Sequence, residues 1–212
     1  MITRKAGDSG FRYIGIHMAT TKKPRSSGFV KKSKVTILKS RVAYRGPVFS
    51  VSTDIVREPS GVTARRDVVR HSGSVVILGV DGTGMNAKVL LARQFRYAAN
   101  REMVELPAGR IDPGETALQG AKRELLEETG YTARKWSKAM FFYVSPGFLD
   151  ETMTIFLAEG LEAGEADPEE DEVIRPKLVP LAAAVEMVMG GRIPDAKTIA
   201  GVLWYANKAM SS

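Results

Sequence analysis

Residues 109–131 read GRIDPGETALQGAKRELLEETGY, and the rest of the chain can be placed around this stretch. Residues 109–114 hold two glycines and a proline, so the stretch opens as a loop. Thr116 followed three residues later by Gln119 has capping-box spacing, which predicts a helix start that Gly130 can end. Ala117, Leu118, Ala121 and Leu125 recur at helical spacing and should face a sheet. Glu124, Glu127 and Glu128 stand at i, i+3 and i+4, so their carboxylates leave the helix from one face. Three like charges so placed repel one another, whereas a hard divalent cation with oxygen ligands makes their clustering useful. Arg123 can reach Glu127 one turn on and hold part of the cluster in place.

Outward from this segment the chain alternates into strands. On the N-terminal side, Val35, Ile37, Val42 and Tyr44 are strand material before a Gly46-Pro47 turn, and residues 48–56 form a second strand. Residues 66–70 alternate into Ser74-Val75-Val76-Ile77-Leu78, whose unbroken apolar character suits a buried strand. Asp81-Gly82-Thr83-Gly84 is a turn, and residues 88–94 return as a hairpin partner. On the C-terminal side, residues 140–144 and 152–158 read as strands, residues 162–172 as an acidic mobile loop, and residues 173–178 as a last strand. Helices over 181–189 and 196–210 follow. Strands first, a helix between strands and helices last predict an α/β (α+β) fold with a mixed sheet packed between helices.

The 212 residues suffice for one main domain plus tails. A composition of 44% hydrophobic and 26% charged residues is that of a soluble globular protein. No apolar run approaches the roughly 20 residues of a membrane span, and no secretory signal pattern opens the chain, so a cytoplasmic protein is expected. Zero cysteines exclude disulfides, thiolate zinc sites, iron–sulfur clusters and cysteine nucleophiles, which leaves oxygen and nitrogen as metal donors. The net charge of +7 is concentrated at the start: residues 1–45 carry twelve Lys/Arg against one acid, the remainder nineteen against twenty-three. Such a leader reads as a solubilising tail, and neither nucleic acid nor membrane is the expected partner.

Gly109, Glu115, Arg123-Glu124-Leu125, Glu127-Glu128, Gly130 and the apolar residue after it occupy every fixed position of the Nudix box, so the sequence resembles a Nudix hydrolase. The resemblance implies an α/β/α sandwich with a mixed central sheet and an N-terminal antiparallel strand extension. With the basic flexible leader (1–34) set apart by its charge, the chain is expected to divide further into the strand extension (35–72) and the Nudix domain (73–212). The resemblance also implies hydrolysis of a diphosphate linked to another moiety, with two to three Mg²⁺ or Mn²⁺ ions. Glu124 and Glu128 are then the chief metal ligands, with Glu127 assisting and the backbone carbonyl of Ala108 as a further ligand. Arg123 and Glu115 orient the cluster, while Gly109 and Gly130 shape the motif.

Three flanking segments are similar to the ADP-ribose pyrophosphatase branch: Arg93-Gln94-Phe95-Arg96-Tyr97 with Glu105-Leu106-Pro107-Ala108-Gly109, Ser145-Pro146-Gly147, and residues 191–198. That branch implies conversion of ADP-ribose to AMP and ribose 5-phosphate, the alternative being another nucleotide such as a sugar nucleotide or a nucleoside triphosphate. A nucleotide- or RNA-binding module without catalysis would have no need to keep Arg123, Glu124, Glu127 and Glu128 together. By the resemblance, Arg96 contacts the substrate phosphates, Glu105 and Glu151 belong to the substrate site, and Arg66-Asp67 contacts adenine, with Asp where Glu is more usual. Phe49 is the one aromatic candidate for stacking on adenine, or else a core residue. The general base comes from the acidic loop, as Glu170, with Glu172 and Glu151 as alternatives. A homodimer is implied, in which Arg66 and Phe49 of one subunit face the substrate bound by Arg96 and Glu124 of the other.

Overall fold

The unbroken apolar run at 74–78 lies inside β4 (Ser74–Asp81), and helices cover the sheet on both sides of it. In the computed structural model, which describes residues 34–165 and 173–211, the side chains of β4 alternate between two cores. Val75 and Ile77 pack with Ala121 and Leu125 of α1 (Ala117–Thr129). Val76, Leu78 and Val80 pack with α2 (Leu181–Met189) and α3 (Ala196–Met210). β5 (Lys88–Arg96) and β9 (Thr152–Ala163) obey the same period of two: Leu90 and Phe156 turn toward α1, Val89, Leu91, Ile155 and Leu157 toward the helix pair. The expected α/β/α sandwich follows, because a strand buried on both faces needs apolar residues at every position.

The central sheet runs β10 (Arg175–Pro180), β5, β4, β9, β8 (Tyr131–Tyr143), with β4 and β9 parallel and the other neighbours antiparallel. β4 and β5 pair only at Val80↔Val89 and Asp81↔Lys88. Beyond that they part: β5 continues with β6 (Arg101–Glu105) and β4 with β7 (Ala108–Arg110). This split mouth, with α1 packed against β7 and β4, is where the residues of the box lie.

A separate antiparallel sheet precedes it, β1 (Thr36–Arg45), β2 (Ser50–Arg57) and β3 (Thr63–Arg70). Its attachment is at the end of β3, where the Val69 amide donates to the Phe148 carbonyl (2.8 Å) and the Val69 carbonyl accepts from Asp150 (3.1 Å). Arg70 bridges Asp150 (3.2 Å) and the buried Asp54 (2.6 Å). Burying Asp54 is tolerable because Ser40, Ser52 and Arg70 all donate to it. β1 is exposed along its whole length, with Val42 and Tyr44 about half in solvent.

Helices α2 and α3 have the expected bounds, but several strands differ. β8 begins at Tyr131 rather than near 140, β9 continues to Ala163 and takes Glu162 out of the acidic loop, and the last strand is shifted to Arg175–Pro180. Cross-strand charge explains the first two: Lys135 pairs with Glu159 (3.2 Å) and Arg134 with Glu162 (3.5 Å), so a polar edge ribbon holds without an apolar pattern. Leu118 is exposed rather than against the sheet, being roughly 100° round the helix from the Ala117, Ala121, Leu125 row. Among the described residues no helix is long and apolar enough to cross a membrane.

Candidate active site

α1 is fixed at both ends by the residues that predict it. Thr116 Oγ1 accepts from the Gln119 amide (3.3 Å) while Gln119 Oε1 accepts from the Thr116 amide (2.9 Å), and Gly130 closes the helix at φ 71°. The helix therefore presents its acidic face to the backbone of β7. Glu128, 6% exposed, accepts the Ala108 amide at 3.1 Å. The Glu124 carboxylate occupies the space a side chain on residue 109 would need, 2.0 Å from where a β carbon there would stand. Gly109 is thus required for room and not for an unusual backbone angle.

Arg123 does more than reach Glu127. Its Nη1 donates to Glu124 (2.8 Å) and Glu127 (2.9 Å), its Nε to Glu115 (2.9 Å), and its Nη2 to Glu115 and to the Arg110 carbonyl (both 3.1 Å). One guanidinium thereby separates three carboxylates and ties the helix to the loop that precedes it. Hydrogen bonds from Arg123, and then from the Asp112 amide, hold the Glu115 carboxyl below its usual range; Glu115 first, then Glu127 and Glu124, raise the Arg123 guanidinium further.

Facing this cluster, Arg96 grips Glu105 through Nε (3.1 Å) and Nη2 (3.0 Å), and Glu105 also takes a hydrogen bond from Lys197. Burial would push the Glu105 carboxyl up, but Arg96 and Lys197 outweigh it and hold it low. Glu151 accepts from the Ser74 hydroxyl (2.7 Å), with His71 Nδ1 3.7 Å away. His71 Nδ1 accepts from the Gly73 amide (3.1 Å).

A cavity of about 590 Å³ joins these groups. Of the residues singled out in the sequence, Arg96, Glu105, Ala108, Gly109, Arg123, Glu124, Glu127, Glu128 and Glu151 line it. Arg66 and Asp67 do not: Arg66 pairs with Glu58 (2.7 Å) and Asp67 accepts from Thr53 (2.6 Å) on the exposed surface of β3. Phe49 is 42% exposed against Tyr44 and is not core. Its neighbour Val48 lines the cavity, and the Pro47 carbonyl accepts from Arg110 (3.0 Å), so the turn between β1 and β2 reaches the site. Glu170 and Glu172 lie outside the described residues.

Lys197 and Asp195 also line the cavity and had no role assigned from sequence. The available signal was a lysine in the first turn of a helix, where the macrodipole disfavours a cation unless it has acidic partners.

Among the described residues no three acidic or imidazole side chains converge as a ready cluster, since Arg123 holds Glu124 and Glu127 and the Ala108 amide holds Glu128. The donors are nevertheless all hard oxygens, three carboxylates and the adjoining Ala108 carbonyl, and the missing side chain at 109 keeps Glu124 against that backbone. Such a set fits a divalent cation of the Mg²⁺ class.

The NUDIX domain family model matches residues 70–201. The chain is 41% identical over 165 residues to the ADP-ribose pyrophosphatase of Bacillus subtilis (strain 168), covering 77% of this chain and 87% of that protein. It is 36% identical to the ADP-ribose pyrophosphatase of Mycobacterium tuberculosis (strain ATCC 25618 / H37Rv), over 78% of this chain and 80% of that one. A solved ADP compounds hydrolase shares the fold with a TM-score of 0.71 at 22% identity, covering 84% of this chain and 95% of its own.

Proposed function

Because the chain belongs to the NUDIX domain family, we propose that it is a metal-dependent ADP-ribose pyrophosphatase, adding water across the diphosphate to give AMP and ribose 5-phosphate. The observation that carries this reading is the single cavity in which the box carboxylates and Arg96 meet, in a chain whose 41% and 36% identical relatives bear that activity as their name.

Two to three Mg²⁺ or Mn²⁺ ions, held by Glu124, Glu128 and the Ala108 carbonyl with Glu127 assisting, would supply a nucleophilic water near neutral pH and charge compensation for the diphosphate. Arg96 binds a phosphate through its guanidinium, a geometry suited to two parallel hydrogen bonds. Glu105 fixes the direction of that guanidinium, and Arg123 keeps Glu124 and Glu127 from repelling one another out of place. Glu170 takes the proton of the attacking water, with Glu172 and Glu151 as the alternatives; Glu151 has in its favour a carboxylate that lines the cavity and is steadied by Ser74.

A panel of ADP-ribose, other nucleoside diphosphate sugars and nucleoside triphosphates tests the reading by product identification. AMP and ribose 5-phosphate from ADP-ribose are expected; preferred turnover of another nucleotide overturns the substrate assignment.

The same reading takes the enzyme as a homodimer in which Arg66 and Asp67 reach the adenine end of the partner's site. Its support is that β1 to β3 form a separate sheet with exposed Ile37, Val42 and Tyr44, and that Arg66 lies away from the cavity of its own chain. Co-expression of Arg66→Ala and Glu124→Gln chains should then recover activity that neither homodimer has. With random pairing, about a quarter of the sites carry neither change. Light scattering that finds only a 23.1 kDa species in active protein excludes the dimer.

A further inference from the structure

Lys197 stands in the first turn of α3 with its side chain only 9% exposed. Both the helix dipole and desolvation oppose an ammonium there unless carboxylates hold it. Two do: Lys197 Nζ donates to Glu105 Oε2 and lies 3.1 Å from Asp195 Oδ2. Glu105, itself 5% exposed at the side chain, shares Oε2 between Lys197 and Arg96 Nη2. Asp195 caps α3 by accepting from the Thr198 amide (3.0 Å) and hydroxyl (2.5 Å), and Thr198 Oγ1 accepts from the Leu106 amide (2.8 Å). These bonds close a ring between the start of α3 and residues 105–106, two positions before Ala108.

The charges of this wall decide what it can meet. Arg96 and Lys197 balance Glu105 and Asp195; with Lys197 removed, two carboxylates stand against one guanidinium. A Glu105 freed from Lys197 turns its whole charge on Arg96 and no longer has one fixed direction in which to hold it. We propose that Lys197 is a positioning residue for the substrate diphosphate: it fixes Glu105 and offsets its charge, so that Arg96 meets the phosphate as an oriented cation. The inference rests on the reading of Arg96 as the phosphate contact given above.

Lys197→Met is expected to raise the KM for ADP-ribose about tenfold, the effect of one charge-assisted hydrogen bond, with kcat changed less than about threefold. Lys197→Arg, which keeps the charge, should stay within about threefold of wild type in both. In an Arg96→Ala background, Lys197→Met should add less than about twofold, because its effect passes through Arg96. A melting temperature that falls while KM does not move makes Lys197 purely structural and overturns the proposal. So does a full tenfold increment on top of Arg96→Ala. Should the methionine variant fail to fold, Lys197→Gln is held to the same ratios. A wild type that turns over no ADP-ribose defeats the proposed function alone; the ratios are then read from the Kd of inorganic pyrophosphate by calorimetry on the same proteins, and their absence defeats the Lys197 proposal.

Discussion

Glu128→Gln should lower kcat by about a thousandfold or more, on the order of 4 kcal/mol of transition-state stabilisation, and Glu124→Gln should do the same. Each removes one negative charge from the oxygen set that fits a divalent cation and leaves side-chain size unchanged. Folding should survive. The amide oxygen of Gln can still accept the Ala108 amide that Glu128 accepts at 3.1 Å, and at 124 it can still accept from Arg123. A change in melting temperature of no more than about 4 °C is therefore expected, as for substitutions that leave core and caps untouched. Steady-state kinetics at saturating substrate, beside a thermal melt, check both halves of the statement. Full activity in either variant would remove that residue from the metal set, and a collapsed melt would make its role structural.

What could be read in the chain beforehand was whatever depends on near neighbours. The caps of α1 are three residues apart or at one glycine, and Thr116, Gln119 and Gly130 act as their spacing says. The buried strand β4 announces itself because both of its faces are covered, which leaves no polar position to break the run. β6 and β7 were invisible for the opposite reason. They are five and three residues long, carry no alternation, and exist because the parting of β4 and β5 leaves each an edge to pair with. The early part of β8 is a run of Thr132, Arg134, Lys135, Ser137 and Lys138 whose strand character comes from the acids of β9 across from it.

The site divides in the same way. Glu124, Glu127, Glu128 and Arg123 fall within one and a half turns of one helix, so their sharing of one face is a matter of helical geometry alone. Lys197 and Glu105 are 92 residues apart, and only the packing of α3 beside the end of β6 brings them together. Arg66 illustrates a third case: in the proposed homodimer its place is at the partner's site, and its contact with Glu58 says nothing of that.

Gly109→Ala separates the two reasons a glycine can be fixed in a motif. If the backbone needed its freedom, the residue would sit at positive φ; among the described residues such glycines include Gly114 and Gly130, and Gly109 is not one of them. What stands against a side chain at 109 is the Glu124 carboxylate, with its carbon and one oxygen 2.0 Å and the other oxygen 2.2 Å from the β carbon position. These atoms are the far end of a flexible side chain and can rotate away, so the added methyl should displace Glu124 instead of unfolding the sheet. Glu124 would then leave its place against residue 109, and the helix would keep its acidic charge while losing the geometry that suits a cation. Turnover is expected to fall about a hundredfold or more, with a melting temperature within about 4 °C of wild type. Glu124→Gln combined with Gly109→Ala should be scarcely worse than Glu124→Gln alone, since both changes take the same carboxylate out of the same place. Multiplying losses in the double variant, or a Gly109→Ala protein that works normally, would show that Gly109 does not serve Glu124.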